Sequence, residues 1–169
     1  MQLYKDFTLK SVLRNVALTE ELVKNLPNVH FIGLDVQTDH YFETSKGKLK
    51  LRQGIIENLI THYERITEHG IERTFVYQYD LNPPQQQIDE LFRTRKKIGE
   101  IRKQRKIYLA GHIKFHIDQL TDGMEFIEIE AIDRENLFTK EELAEQCRVM
   151  QVQLGILDSD LVKTGYFEG

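Results

Sequence analysis

The feature that most constrains this chain is a short alternation of apolar and polar side chains that recurs along its length. Successive side chains of a β-strand point to opposite faces, so a period of two residues predicts strands. We assign eight such strands, at residues 3–10, 30–44, 48–52, 57–67, 72–80, 100–109, 112–119 and 124–132. Short turns such as Ala110-Gly111 join most of them. We therefore expect a mostly antiparallel α+β fold with enough strands to close as a barrel.

Three segments between the strands have the spacing of apolar residues that is typical of helices. The first covers residues 19–26, with Thr19 as its N-cap and Pro27 after its end. The second starts at Pro83-Pro84 and ends near Gly99, and the third covers residues 138–154. Helices that pack their apolar stripes on the outside of a barrel would leave its inside polar.

The 169 residues are enough for one domain, 1–169, with a full core. No segment is apolar for the length of a membrane span, and the N-terminal residues lack the core of a signal peptide. We therefore expect a cytoplasmic protein without membrane contact. The single cysteine, Cys147, excludes an intrachain disulfide and is expected to be a buried core residue.

The net charge of −4 argues against a general affinity for polyanions, but residues 93–106 contain eight Lys or Arg and one acid. A nucleic-acid surface is one interpretation of this segment. Strand alternation would divide its charges between two faces, and no series of aromatic residues accompanies them. We therefore expect no nucleic-acid partner and interpret the charge as capacity to hold phosphate.

Charged side chains of one sign share a face on several of the predicted strands. Lys48, Lys50 and Arg52 alternate with leucines, and Lys103 and Arg105 form a second such set. Other groups are Tyr63 with Arg65, Glu128 with Glu130, and Lys114 with His116 and Asp118. Each could be the solvated face of an open sheet. Together they favour a closed sheet, since like charges side by side repel unless an anion lies between them.

The same residues resemble the motifs of the CYTH superfamily, the triphosphate tunnel metalloenzymes, and especially its class IV adenylyl cyclase-like branch. Residues 39–43 and 47–52 read D-H-Y-F-E and G-K-L-K-L-R, similar to that branch's D-x-Y-F and G-R-L-K-L-R. Residues 59–65 and 101–105 are similar to L-I-x-Y-x-R, with one extra residue, and to V-x-K-x-R. Residues 116–130 resemble the closing D-x-V and G-x-F-x-E-x-E. The resemblance runs in order from about residue 3 to residue 166.

The resemblance implies an eight-stranded antiparallel tunnel that binds a triphosphate-bearing molecule, such as ATP, thiamine triphosphate or tripolyphosphate, with Mg²⁺ or Mn²⁺. The implied phosphate-binding residues are Lys48, Lys50, Arg52, Arg65, Lys103 and Arg105. The implied metal ligands are Glu128, Glu130 and Asp6. Lys10 and Asp118 take the implied catalytic positions, where Asp118 would support the basic wall or a metal-bound water. Tyr41, Tyr63 and Phe126 are aromatic residues that could stack on a substrate ring.

One residue departs from the family pattern. The opening motif E-x-E-x-K is here D-F-T-L-K, so Thr8 occupies the position of the central glutamate. A hydroxyl is a weak ligand for Mg²⁺, although one metal needs few carboxylates. Two functions stay open, namely an enzyme, either an adenylyl cyclase or a triphosphate phosphohydrolase, and a non-catalytic nucleotide- or polyphosphate-binding protein. The protein could be a monomer or a homodimer.

Overall fold

The computed structural model describes residues 4–167. In chain order, its strands and α-helices are β1 Lys5–Val12, α1 Val16–Lys24, β2 Val29–Phe42, β3 Lys48–Gln53, β4 Asn58–Glu68, β5 Ile71–Leu81, α2 Gln85–Thr94, β6 Lys97–Ala110, β7 Ile113–Leu120, β8 Glu125–Asp133, α3 Lys140–Gln153 and β9 Leu161–Val162. All eight predicted strands are present. Leu3, where we expected the first strand to begin, lies outside the described residues.

Eight of the strands close into a barrel. They follow the order β5-β4-β3-β2-β6-β7-β8-β1, with every pairing antiparallel. β1 then pairs with β5 through Phe7 opposite Arg73 and Thr8 opposite Glu72, which joins the two ends of the sheet. The short β9 adds to the outer part of β1 opposite Lys10 and Ser11. The predicted α+β fold with an eight-stranded antiparallel barrel is confirmed.

The ends of two helices differ from the prediction. α1 begins three residues earlier than expected, because the side chain of Asn15 accepts the N–H of Leu18 and acts as the N-cap in place of Thr19. α2 ends at Thr94 rather than near Gly99. The extended backbone of Arg95 (φ −122°, ψ 141°) stops it, and Gly99 lies within β6.

Apolar packing lies outside the barrel. α1 and α3 cover a cluster on β1, β7 and β8 that includes Phe7, Phe115 and Ile127. α2 covers a smaller cluster on β2, β3 and β4, and its Ile88 and Leu91 pack against the buried Phe42, Leu49, Leu51 and Ile60. Each fully buried side chain of this size stabilises the fold by about 1.5–3 kcal/mol. The outer clusters therefore supply the stability, and the inside of the barrel is left to polar groups.

Cys147 lies in the larger cluster, where it is fully buried, as expected. No helix within residues 4–167 is long and apolar enough to cross a bilayer.

Candidate functional site

The barrel encloses a cavity in which about half of the lining residues are charged. Its Lys and Arg residues are Lys50, Arg52, Arg65, Lys103, Arg105, Lys114 and Arg134, and its carboxylic residues are Asp6, Asp39, Glu57, Glu128 and Glu130. Strand alternation explains this set, because Arg102 and Lys106, the neighbours of Lys103 and Arg105, point outward and are more exposed. The charged faces singled out in the sequence are therefore interior faces rather than solvated ones.

A basic wall forms around a single carboxylate on β2. Arg52 donates to both oxygens of Asp39 at 2.8 and 2.9 Å, and Lys103 donates to Oδ2 at 2.7 Å. Lys50 lies 3.9 Å from the same oxygen. Although burial alone would raise the pKa of Asp39, these three cations hold it well below its ordinary range.

The lysines of this wall are crowded by one another. Burial, followed by the charges of Arg52 and Lys103, lowers the pKa of Lys50 well below that of a free lysine. Burial and the Arg52 guanidinium lower the pKa of Lys103 to about 8. Asp39, together with Glu57 at 3.3 Å from Arg52 Nη1, gives two carboxylates for three buried cations, so the wall favours an additional anion in the cavity.

A second ion cluster joins β6, β7 and β8. Arg105 donates to Asp118 at 2.7 and 2.8 Å and to Glu128 at 2.7 Å. His116 Nδ1 lies 3.7 Å from the same Glu128 oxygen. The Nε2 atom of His116 is buried and has no hydrogen-bond partner among residues 4–167. Since His116 lines the cavity, this nitrogen is available to a ligand.

The third group contains the implied metal ligands of β1 and β8. Asp6 and Glu130 are hydrogen-bonded to each other, and Thr8 Oγ1 donates to Asp6 at 3.0 Å. Burial and the nearby Glu130 raise the pKa of Asp6 well above its ordinary value, so the two carboxyl groups share a proton.

This carboxyl pair fits a hard divalent cation, which would take the place of the shared proton. Glu128 is already paired with Arg105 and His116. No three His, Cys, Asp or Glu side chains of the described chain converge as a metal-binding group. The donor set therefore matches a cation such as Mg²⁺ held by two carboxylates, with water and ligand oxygens as its other ligands.

Residues 164–167 cover one end of the cavity, which we call the tail end. Lys10 Nζ donates to the carbonyl of Gly165 at 3.2 Å and lies 3.4 Å from the centre of the Tyr166 ring. The Tyr166 hydroxyl donates to Asp118 at 2.7 Å. Burial lowers the pKa of Lys10 to about 8.

The same segment engages β2 and β3. Lys48 Nζ donates to the carbonyl of Phe167 at 3.0 Å, and the Phe167 ring stacks on Tyr41 with centroids 4.7 Å apart. At the opposite end, which we call the tyrosine end, the cavity is lined by Tyr4, Tyr79 and Arg134.

The structure separates the predicted site residues into two sets. Those that line the cavity are Asp6, Lys50, Arg52, Arg65, Lys103, Arg105, Glu128 and Glu130. Lys10, Lys48 and Asp118 are held by the tail segment or by Arg105 and lie outside the cavity lining. The functional roles of both sets stay predictions.

Several cavity residues had no assigned role in the sequence analysis. Lys114 and His116 could have been assigned, because they alternate with apolar residues on β7 as Lys103 and Arg105 do on β6. Glu57 could not. It is positioned because the carboxylate of Asp35 accepts three N–H groups from residues 55–57, a tertiary contact without a sequence signal. The aromatic rings proposed for stacking are also enclosed, since Tyr41, Tyr63 and Phe126 are each buried.

Comparison with solved structures shows that other proteins share this fold. The PH1012 protein from Pyrococcus horikoshii OT3 is 21% identical, with a TM-score of 0.74 over 93% of this chain and 94% of that one. A proposed adenylate cyclase from Vibrio parahaemolyticus is 13% identical, with a TM-score of 0.78 over 98% and 97%. An RNA triphosphatase from S. pombe is 11% identical, with a TM-score of 0.51 over 95% and 86%.

No curated protein sequence matches the chain significantly. At identities this low, the structural likeness establishes the fold alone. The sequence itself matches the family model of the CYTH domain over residues 9–166, which is nearly its whole length and covers the strands of the cavity except the first residues of β1, where Asp6 and Thr8 lie. The chain therefore belongs to the CYTH domain family.

Proposed function

We propose that this protein binds the triphosphate group of a small molecule inside the barrel with Mg²⁺ or Mn²⁺ and catalyses attack of an oxygen nucleophile on one of its phosphorus atoms. Membership of the CYTH family supports the processing of triphosphates at the family level. Two of the structural neighbours are named as a proposed adenylate cyclase and an RNA triphosphatase, and both act on such groups by name.

The observation that carries the proposal is Arg65. Its side chain lines the cavity, donates to Thr74 at 3.2 Å and lies over the ring of Tyr63 at 4.8 Å. Within residues 4–167, no carboxylate lies within ion-pair distance of it. Its guanidinium is half-buried, and Glu128 and Asp6 act on it only from beyond ion-pair distance. A phosphate would supply negative charge in direct contact and matches its planar donors.

The crowded lysines support the same ligand. Lys50 and Lys103 have lowered pKa values because they lie beside Arg52 in a buried wall. A polyphosphate along this wall would raise both pKa values and so favour the charged lysines. The wall and Arg105 would then neutralise phosphate oxygens, and such fixed charges contribute most to phosphoryl transfer.

The carboxyl pair of Asp6 and Glu130 would hold the divalent cation. When bound, that cation would polarise a phosphoryl oxygen and offset phosphate charge. Two reactions use this arrangement. In a cyclase, a ribose 3′-oxygen attacks the α-phosphorus and pyrophosphate leaves. In a phosphohydrolase, water attacks the terminal phosphorus, which becomes inorganic phosphate, and the remaining diphosphate leaves.

A specific observation favours a second candidate, a non-catalytic triphosphate-binding protein. At position 8 the family motif has a glutamate, which would be a third carboxylate. Here Thr8 has a hydroxyl instead, and that hydroxyl already donates to Asp6. With two carboxylates, the site holds fewer charges for a catalytic metal. This candidate predicts metal-dependent binding without turnover.

Product analysis separates these candidates. The protein is incubated with ATP, thiamine triphosphate or tripolyphosphate, each with Mg²⁺ or Mn²⁺, and binding is measured in parallel by calorimetry. Cyclic AMP with pyrophosphate would identify a cyclase, and inorganic phosphate a hydrolase. Binding without product would leave the non-catalytic candidate.

The control variants use neighbouring positions on one strand. Arg105→Ala removes a cavity cation, whereas Arg102→Ala removes an exposed cation of the same strand. We expect the first variant to abolish turnover and to weaken binding strongly, and the second to behave as wild type. Equal behaviour of the two variants, or no binding of any triphosphate by the wild type, would refute the proposed function.

A further inference from the structure

The middle of β2 carries apolar side chains that stay exposed between α1 and α2. Val29, at the start of the strand, packs against the cluster under α1, and Phe42, at its end, belongs to the cluster under α2. Between them, six large apolar side chains of β2 and of the loop after β3 are each between 39% and 75% exposed. We call them the β2 patch: Phe31, Ile32, Leu34, Val36, Ile55 and Ile56. Exposed apolar residues that occur singly are normal, whereas a group of this size marks an interaction site.

Strand geometry places three of these side chains on the outer face of the barrel. Phe31, Leu34 and Val36 lie opposite residues 108, 106 and 104 of β6, which alternate and therefore share one face. The register of β2 shifts by one residue directly after Phe31, and this β-bulge brings Phe31 onto the same face as Leu34. The residues between them on the strand, such as Asp35 and Gln37, are buried on the opposite face.

The loop between β3 and β4 extends the patch beside Leu34. The carboxylate of Asp35 accepts the N–H groups of Ile55 and Ile56 at 2.6 and 2.9 Å, which fixes this loop against β2. The side chain of Ile56 reaches the backbone of Gly33, where a Cβ would lie 2.7 Å from its Cδ1 atom. The patch is therefore formed in advance, and a partner would not have to order this loop on binding.

The area of the patch matches the apolar core of an interface between two proteins. A fully exposed side chain of this kind presents roughly 150–200 Å², so the six side chains at about half exposure present on the order of 500 Å². A standard interface buries about 800 Å² on each partner, and in homodimers about 65% of it is apolar, which is again about 500 Å². The β2 patch is therefore large enough to support a stable dimer.

The charges around the patch favour a second copy of this chain over a partner of opposite charge. On the outer face of β6, Lys106 donates to Glu20 of α1 at 2.9 Å, and Arg102 donates to Glu100 at 2.7 Å. Both cations are thus already paired within the chain, so an acidic partner would gain little from them. For the same reason, two copies of this face would not repel each other. Identical sheet faces can pack against each other about a twofold axis.

We propose that the β2 patch is the interface of a homodimer, in which β2 of one copy packs against β2 of a second copy about a twofold axis. The interface uses outward-facing side chains, whereas the proposed function uses inward-facing side chains of the same barrel. The two proposals are therefore independent, and each can fail without the other.

The oligomeric state in solution tests this interface. Sedimentation velocity over a series of micromolar concentrations compares the wild type with Leu34→Glu and Val36→Glu, each of which places a charge in the middle of the patch. Ile55→Glu tests the loop part of the patch separately. The matched control is Val152→Glu, which adds the same charge at a position of α3 that is 78% exposed and lies outside the patch. Thermal unfolding of each variant shows that it is folded, which we expect because all four positions are exposed.

We expect the wild type to sediment as a dimer. Leu34→Glu and Val36→Glu should weaken dimerisation by about 100-fold or more, because the twofold axis would bury two unpaired carboxylates in an apolar interface. Ile55→Glu should weaken it less, by roughly tenfold, since this residue is the most exposed of the patch and lies in the loop. Val152→Glu should dimerise as the wild type does.

A wild type that stays monomeric at every concentration would overturn the proposed dimer. Folded Leu34→Glu and Val36→Glu variants that dimerise like the wild type would show that the chain associates through another surface and would also overturn it. The same conclusion would follow if Val152→Glu disrupted the dimer as strongly as the patch variants do. None of these results would bear on triphosphate binding, which is measured separately.

Discussion

Both ends of the cavity place a cation over a tyrosine ring, yet the two contacts differ in what surrounds them. At the tail end, Lys10 is 4% exposed, and its ammonium group has the ring of Tyr166 and a backbone carbonyl as partners. At the tyrosine end, Arg134 is exposed over half-buried rings. The same pair of groups is enclosed where the protein supplies the remaining contacts, and stays exposed where solvent does.

The largest effect is expected at the wall near the tail end. Lys103→Ala removes a cation that lies 2.7 Å from Asp39 and 5.8 Å from the Tyr166 ring. A hydrogen bond to a charged group is worth about 1.5–3 kcal/mol, so affinity for every triphosphate should fall roughly 10- to 100-fold. Arg102→Ala is the outward-facing control. If Lys103→Ala lowered the affinity only for triphosphates that carry an organic ring, Lys103 would act at the tyrosine end rather than on the phosphates. That result would contradict the difference between the two ends.

The next effect concerns the carboxyl pair beside the tyrosine end. Thr8→Glu would add a third carboxylate next to Asp6 and Glu130, so without metal the buried like charges should destabilise the protein by about 2 kcal/mol and lower Tm by roughly 4–8 °C. Mg²⁺ should reverse this loss. Thermal unfolding with EDTA and with Mg²⁺ measures it, with Thr8→Gln as the neutral control. Insensitivity of Thr8→Glu to metal would contradict a cation site on this pair.

A smaller effect is expected from pH. The pKa of Lys103 is about 8 in the free protein, and a bound polyanion favours the protonated lysine, so its pKa rises on binding. Binding should therefore take up protons between pH 8 and 10 and weaken as pH rises through this range, by at most about tenfold per pH unit for one group.

Calorimetry of tripolyphosphate binding in two buffers with different enthalpies of ionisation measures this proton uptake. Lys103→Arg keeps the charge at all these pH values and should remove its share of the pH dependence. Proton release on binding, or an affinity that rises with pH, would show that the crowded wall does not bind the anion.

The smallest effect tests how the tail end is closed. Tyr166→Phe removes the hydroxyl that donates to Asp118 but keeps the ring over Lys10. One hydrogen bond contributes about 1 kcal/mol, so Tm should fall by roughly 2–4 °C, with little change in triphosphate affinity. Tyr77→Phe, which removes a bond to Glu64 at 2.5 Å outside the cavity, is the matched control. A large gain in affinity would mean that the tail competes with the ligand.

The barrel and most of its charged interior could be predicted from the sequence because both follow from local alternation. Lys103 and Arg105 share a face by strand geometry alone, and the turn at Ala110-Gly111 sets the next strand antiparallel beside them. The family motifs identified candidate cavity residues only by residue type and spacing. They did not indicate that Lys10 and Lys48 would be bound by residues more than a hundred positions away.

The sequence by itself therefore determined which side chains face inward on each strand, since a period of two is a property of the extended backbone. Only the tertiary structure decided which of them meet. Closure of β1 on β5 sets Thr8 beside Glu72, the tail segment covers Lys10, and Asp35 positions Glu57. Each of these contacts joins residues that are distant in the chain, and their partners depend on the geometry of the closed barrel rather than on any local pattern.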